Sequence, residues 1–249
     1  MTSDSLPQRV ARQIISLIVL GGLKPDQLLP TEEELCEQFG VSRSVIREAM
    51  RTVSGVGMTR SHQGRGTIVL DARSWNEFSP EILQVRVEVG AVGEFLVDFI
   101  ELRTILESHA ASLAAERAEP SQLDEMRASL GAMEVALDDR DSFVAADLNF
   151  HNAIVFAAGN MMIVRLFDLL QPMLRIVRER GYHPDIDGEP RDRQVDVLEH
   201  RKVFEHIEAG DADGAKQAMT EHLKWVARRE IADPQRSVTP RVDKTAREQ

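Results

Sequence analysis

Apolar side chains at Val10, Ile14, Leu17 and Ile18 recur at the spacing of an amphipathic helix over residues 8–20, which Gly21-Gly22 ends. Leu28-Leu29-Pro30 then leads into Thr31-Glu32-Glu33-Glu34, where Thr31 and Glu34 have the spacing of a capping box, and Gly40 closes the short helix that follows. Ser42 can cap a third helix running to about Ser54, with Val45, Ala49, Met50 and Val53 turned inward. Helix, glycine-containing turn, helix is the skeleton of a helix-turn-helix. Beyond Gly57 the period changes. Met58 to Ser61 and Thr67 to Leu70 are short β-prone runs around Gly64-Arg65-Gly66, a pattern that predicts a hairpin. Residues 71–80 predict a linker. From Pro80 the pattern is helical, with helices expected near 80–88, 93–117, 121–138, 142–158, 161–180, 194–209 and 212–232. Residues 181–193 form the one long irregular stretch, and the polar segment 233–249 predicts a disordered tail.

The fold class that follows is mainly α: a winged helix-turn-helix joined to an all-α antiparallel bundle. Its expected boundaries are 1–72 for the head, 73–80 for the linker and 81–232 for the bundle. Composition agrees, because aromatic residues make up only 5% of the 249 positions and strand-rich sandwiches need more. The single cysteine, Cys36, excludes a disulfide framework and any Cys-rich zinc site. The longest apolar run, Ile14 to Leu20 broken by Ser16, is too short to span a bilayer. With a polar start, Met1-Thr2-Ser3-Asp4, the expectation is a cytoplasmic protein with no membrane partner.

Charge sharpens the division. Residues 1–74 hold nine Lys/Arg against eight Asp/Glu, whereas the remainder holds 21 basic against 33 acidic residues. Residues 40–70 contain five Arg and one acid, Glu48. Charge alone fits a solvated helix face, but an Arg-rich island on an acidic body also fits a polyanion-binding head. Arg43, Arg47 and Arg51 lie four apart along one face of the third helix, and guanidinium forks there suit guanine edges and phosphates in the major groove. Gly64 and Gly66 let the wing approach a duplex closely, with Gln63 and Arg65 as polar contacts.

In the predicted bundle, Asp147 and His151 are four apart in a helix, His200 lies in the next-to-last helix and His222 in the last. Three imidazoles and one carboxylate can bind a divalent transition metal with positions left open. The bland alternative is a surface Asp–His pair. His62, His109, His183 and His206 show that histidines in this chain need not be ligands.

The segments Leu28 to Leu35, Gly40 to Ala49 and Gln63 to Thr67 resemble the winged-helix head of GntR-superfamily transcription regulators. The helical remainder resembles the effector (FCD) domain of the FadR subfamily, so the resemblance spans roughly residues 8–232. It implies DNA-binding roles for Arg43, Ser44, Arg47, Arg51, Gln63, Gly64 and Arg65, with double-stranded operator DNA as partner and a homodimer as the binding form. One departure stands out: Glu33 occupies a position where the family usually has an Arg that often touches DNA. The resemblance also implies that Asp147, His151, His200 and His222 hold a metal, zinc first and nickel or manganese next. The metal's open positions would take a small carboxylate effector. An Arg in the first long bundle helix often supplies a counter-charge, and Arg103 matches that place; its competing reading is a salt bridge to Glu107 at i+4. Arg175 and Arg178 are further options for the same role. Trp75 to Leu83 is similar to the linker of members that sense sugar acids such as galactonate. Three functions follow: an acid-responsive regulator, the same regulator with a structural metal or another effector, and a helical metalloenzyme. The enzyme leaves the winged head unexplained and lacks a general base beside the ligands.

Overall fold

In a computed structural model of the chain, residues 5–181 and 193–231 are described. The expected irregular segment 181–193 falls almost wholly outside them, as do His183, the tail from residue 232 and the side chain of Arg178. The chain divides into two compact units between Val92 and Gly93.

The first unit is built on α1 (Leu6–Val19), α2 (Glu32–Phe39) and α3 (Arg43–Gly55), followed by β1 (Thr59–His62) and β2 (Gly66–Val69). The capping box predicted for α2 is present: Thr31 N donates to Glu34 Oε2 at 2.7 Å and Glu34 N to Thr31 Oγ1 at 3.3 Å. Gly40 ends α2 with φ 62°, the left-handed conformation that glycine takes without strain. Ser42 stands at the start of α3, but its hydroxyl pairs with Ser44 Oγ and does not cap the helix. The inward face of α3 is centred on Ile46, Ala49 and Val53, with Val45 and Met50 only partly buried. That is a rotation of the expected stripe, and it turns Arg43, Arg47 and Arg51 squarely to solvent. The strands pair antiparallel from Thr59 opposite Val69 to His62 opposite Gly66, so Gln63, Gly64 and Arg65 form the turn of the wing.

Residues 71–88 fold onto this unit, which moves the expected boundary. The helix at 80–88, predicted to open the bundle, is α4 (Pro80–Glu88) and packs on α1, with Ile82 and Val85 in the core beside Ile14 and Met58. Arg12 pairs with Glu88 at 3.2 Å, and Arg86 pairs with Glu77 at 2.8 Å while lying over the Trp75 ring. Trp75 Nε1 donates to Leu70 O. The segment read as a linker is therefore a folded edge of the head.

Gly57 is where this edge meets the hairpin. Its φ is 78°, and a Cβ there would lie 2.2 Å from the carbonyl oxygen of Ser74. Backbone cannot retreat as a flexible side chain would. Gly57→Ala should lower the melting temperature of the head by about 10 °C, from roughly 2 kcal/mol of strain and displacement. A circular-dichroism melt within 2 °C of wild type would show that the Ser74 turn yields.

The second unit contains α5 (Gly93–Arg117), α6 (Pro120–Val135), α7 (Arg140–Ala157), α8 (Met161–Gly181), α9 (Arg193–Glu208) and α10 (Ala212–Ile231). Short connections keep consecutive helices adjacent: α6 packs on α7, α7 on α8, and α9 on α10. The long helix α5 lies against α10, α7 and α9. α7 starts at Arg140, two residues before the expected 142. Asp139, not Asp141, accepts from the Asp141 and Ser142 amides, because three nearby Asp residues compete for one role. Phe143, Phe150, Phe167, Met126, Met133 and Met219 are fully buried and fill the bundle core. Among the described residues no helix is long and apolar enough to cross a membrane.

Candidate metal centre and nucleic-acid interface

Among the described residues, seven ionisable side chains sit inside that apolar core: Arg103 and Glu107 on α5, Asp147 and His151 on α7, Asp196 and His200 on α9, and His222 on α10. None is more than 3% exposed. Charged groups survive such burial only when they compensate one another or hold an ion. The helical repeat explains how they meet. Arg103/Glu107, Asp147/His151 and Asp196/His200 are each i,i+4 pairs, so each helix turns two groups to the same side.

The three imidazoles of His151, His200 and His222 converge, with one nitrogen of each within 4.8 Å of the others. His200 Nε2 lies 3.3 Å from His151 Nε2 and 3.0 Å from Asp147 Oδ1, and His151 Nε2 lies 4.0 Å from the same oxygen. The far nitrogens set the ring orientations. His200 Nδ1 is 2.6 Å from the Asp196 carbonyl, which can only accept, so Nδ1 carries the proton and Nε2 presents a lone pair. His151 Nδ1 lies 2.5 Å from Glu107 Oε2, so the carboxylate takes up that nitrogen and Nε2 is the one turned toward His200. Imidazole nitrogens and a carboxylate oxygen thus converge on one point of a buried core, where a cation would take all of them as ligands. This donor set, three imidazole nitrogens and one carboxylate, fits a divalent transition ion.

Glu107 is the residue that sequence reasoning placed only as a partner of Arg103. Its Oε1 accepts from Arg103 Nε at 2.7 Å while Oε2 faces His151. Burial by itself pushes the Glu107 carboxyl up, but the Arg103 guanidinium and the His151 ring reverse that and hold it well below the carboxylate range. Carboxylates behind metal-ligating histidines fix the ring orientation in this way. The signal was present in the sequence: Phe99, Arg103, Leu106, Glu107, Ala110 and Ala114 trace one face of α5, and only two of the six are charged. Asp196 was missed too, because its contribution to His200 runs through a backbone carbonyl that no side-chain pattern reveals.

Both sequence readings of Arg103 bear on the geometry. The i+4 salt bridge to Glu107 forms, and Nη2 of Arg103 stays buried with no hydrogen-bond partner among the described residues. Arg175 is not brought to the site; it is exposed on α8. His62 and His109 are exposed as well, and His206 pairs with Asp211 at 2.8 Å near the start of α10.

On the head, Arg43, Ser44, Arg47 and Arg51 on α3 and Gln63, Gly64 and Arg65 at the wing turn are all exposed. Arg43 Nη2 donates to Glu33 Oε1 at 3.2 Å and Arg47 Nε to Glu32 Oε2 at 2.9 Å.

Residues 6–69 match the gntR family of bacterial regulatory proteins, and residues 98–224, half of the chain, match the FCD domain. The chain belongs to the GntR family, with an FCD domain. It is 32% identical over 201 residues to the galactonate operon transcriptional repressor of Escherichia coli strain K12, covering 81% of this chain and 86% of that protein. It is 28% identical over 211 residues to the HTH-type transcriptional regulator LutR of Bacillus subtilis strain 168, covering 83% and 93%. The fold is shared with the solved structure of Lar from Listeria monocytogenes, at a TM-score of 0.61 and 20% identity, covering 93% of this chain and 99% of that one. A DNA-binding transcriptional regulator follows from the family, and the metalloenzyme alternative falls, since the family's members regulate transcription.

Proposed function

We propose that this regulator is a homodimeric repressor whose hold on a palindromic operator is relieved by a small hydroxy acid or sugar acid bound at a divalent-metal site in the bundle. The observation that carries the acid-sensing part is the convergence of Asp147, His151, His200 and His222 beside a buried arginine with a spare donor, Arg103 Nη2. Zinc is the first choice for the three-imidazole, one-carboxylate set, with nickel or manganese next. When bound, the metal supplies an electrophilic centre with open positions for the carboxylate and hydroxyl oxygens of the acid. This chain's own residues do the rest. Glu107 and the Asp196 carbonyl hold the histidine rings with Nε2 forward, and Arg103 offers a charge-assisted hydrogen bond to an anionic ligand. That a relative is a galactonate operon repressor supports an aldonic acid as the ligand class.

In the head, Arg43, Ser44, Arg47 and Arg51 would enter the major groove, with Gln63, Gly64 and Arg65 at the minor groove. Two-fold symmetry would set the paired recognition helices about 34 Å apart, one helical turn of duplex. A ligand that binds one arrangement of the dimer better than the other shifts the population between them.

The test is a set of thermal melts of the full chain with sugar acids, hydroxy acids and dicarboxylates, before and after metal chelation. The cognate acid at a hundred times its Kd stabilises by about 2.7 kcal/mol, roughly 5–10 °C for a chain of this size. That shift should vanish with chelator and in His200→Ala. Chelation that lowers the melt while no acid raises it would leave a structural metal and end the acid-sensing reading. Indifference to both would end the metal site.

A further inference from the structure

The two leading arginines of α3 are not bare cations. Glu33 and Glu32, consecutive in the first turn of α2, each hold one of them through the Nη2 and Nε contacts given above. Arg51 on the same stripe, Arg60 on β1 and Arg65 at the wing turn have no ion-pair partner among the described residues, and all three are exposed. The basic side chains of this face therefore fall into two classes.

The difference has consequences on a duplex. A free guanidinium on a long stem loses rotamer freedom when it binds, and its full charge is available to any phosphate of any sequence. A guanidinium held by a carboxylate has part of that ordering done beforehand. Its fork keeps free N–H groups for the O6 and N7 acceptors of a guanine, while its net pull on phosphates is reduced by the neighbouring negative charge. The carboxylate also repels the backbone in registers where no base edge rewards the arginine, which is how unwanted partners are rejected.

We infer that Glu33 and Glu32 are positioning residues for base readout. They hold Arg43 and Arg47 for base edges and weaken the head's grip on DNA of other sequence, and the sequence-independent grip comes from Arg51, Arg60 and Arg65. This rests on α3 being the recognition helix.

The experiment uses the full chain. A preferred duplex is first selected from a random pool, and Kd is then measured for it and for a scrambled duplex across a salt series. Glu33→Gln and Glu32→Gln should each tighten binding to the scrambled duplex by about two- to five-fold, the range of an exposed ion pair, with less change on the selected one. Discrimination falls accordingly. Arg51→Ala should weaken both duplexes alike and reduce the salt slope by about 0.9 per protomer. The glutamates are at the surface, so the variants keep the fold, and matching circular-dichroism melts check this. Glutamine variants that discriminate as well as wild type, or better, overturn the inference. Arg43→Ala and Arg47→Ala separate it from its premise. If they too leave discrimination intact, the recognition helix itself is misassigned; if they abolish it while the glutamine variants do not matter, only the positioning role fails.

Discussion

Glu107→Leu should destabilise the bundle by about 3–5 kcal/mol, because it strands the buried Arg103 guanidinium without its partner. The same carboxylate fixes the His151 ring through Oε2, so metal affinity should fall by roughly 10- to 100-fold as well. The two losses separate in a double variant. Replacing both members of a buried ion pair by apolar residues removes the uncompensated charge and is often close to neutral. Arg103→Leu with Glu107→Leu should therefore recover most of the stability in urea denaturation, while metal affinity stays low and the proposed response to acid is lost. Single Glu107→Leu protein with a urea midpoint like that of wild type would mean that Arg103 finds another acceptor or reaches water, and the linked Arg103–Glu107–His151 arrangement would have to be abandoned.

Arg47→Ala should abolish specific operator binding without disturbing the fold. One bidentate arginine–guanine contact is worth about 1–3 kcal/mol, and in the proposed two-fold dimer it would be lost at both half-sites, so the combined loss reaches about 10⁴-fold at the upper end. Arg47 is exposed and, among the described residues, pairs with Glu32, so alanine removes no core contact. The outcome to look for is a footprint that disappears on the preferred duplex while the circular-dichroism melt is unchanged. An undiminished footprint would remove α3 from the interface.

Much of this molecule is readable from its residues because the readable features are local. The Thr31–Glu34 box, Gly40 after α2 and the Gly-x-Gly turn of the wing depend on neighbours a few residues away. The Asp147–His151 spacing is likewise a property of one helix. What escaped the sequence is decided across the chain. Ile82 and Val85 carry a clear helical stripe, but nothing in the stripe says which unit it will cover, and α4 sealed the head instead of opening the bundle. Arg175 and Arg103 are both arginines on bundle helices. Only the rotation of each helix in the packed structure puts one in the core and the other in water. The pairing of Glu33 with Arg43 depends on the angle between α2 and α3, so the sequence revealed an unusual carboxylate without its purpose.

The place of α4 also sets where one regulator can be spliced to another. A chimera joined at residue 72 would discard Ile82 and Val85 and bare the α1 surface they seal, so the transplanted head would carry a sticky apolar scar into any new host. Joined after Val92, the same head travels with its core closed, and the exchangeable cassette is twenty residues longer than the winged-helix pattern suggests.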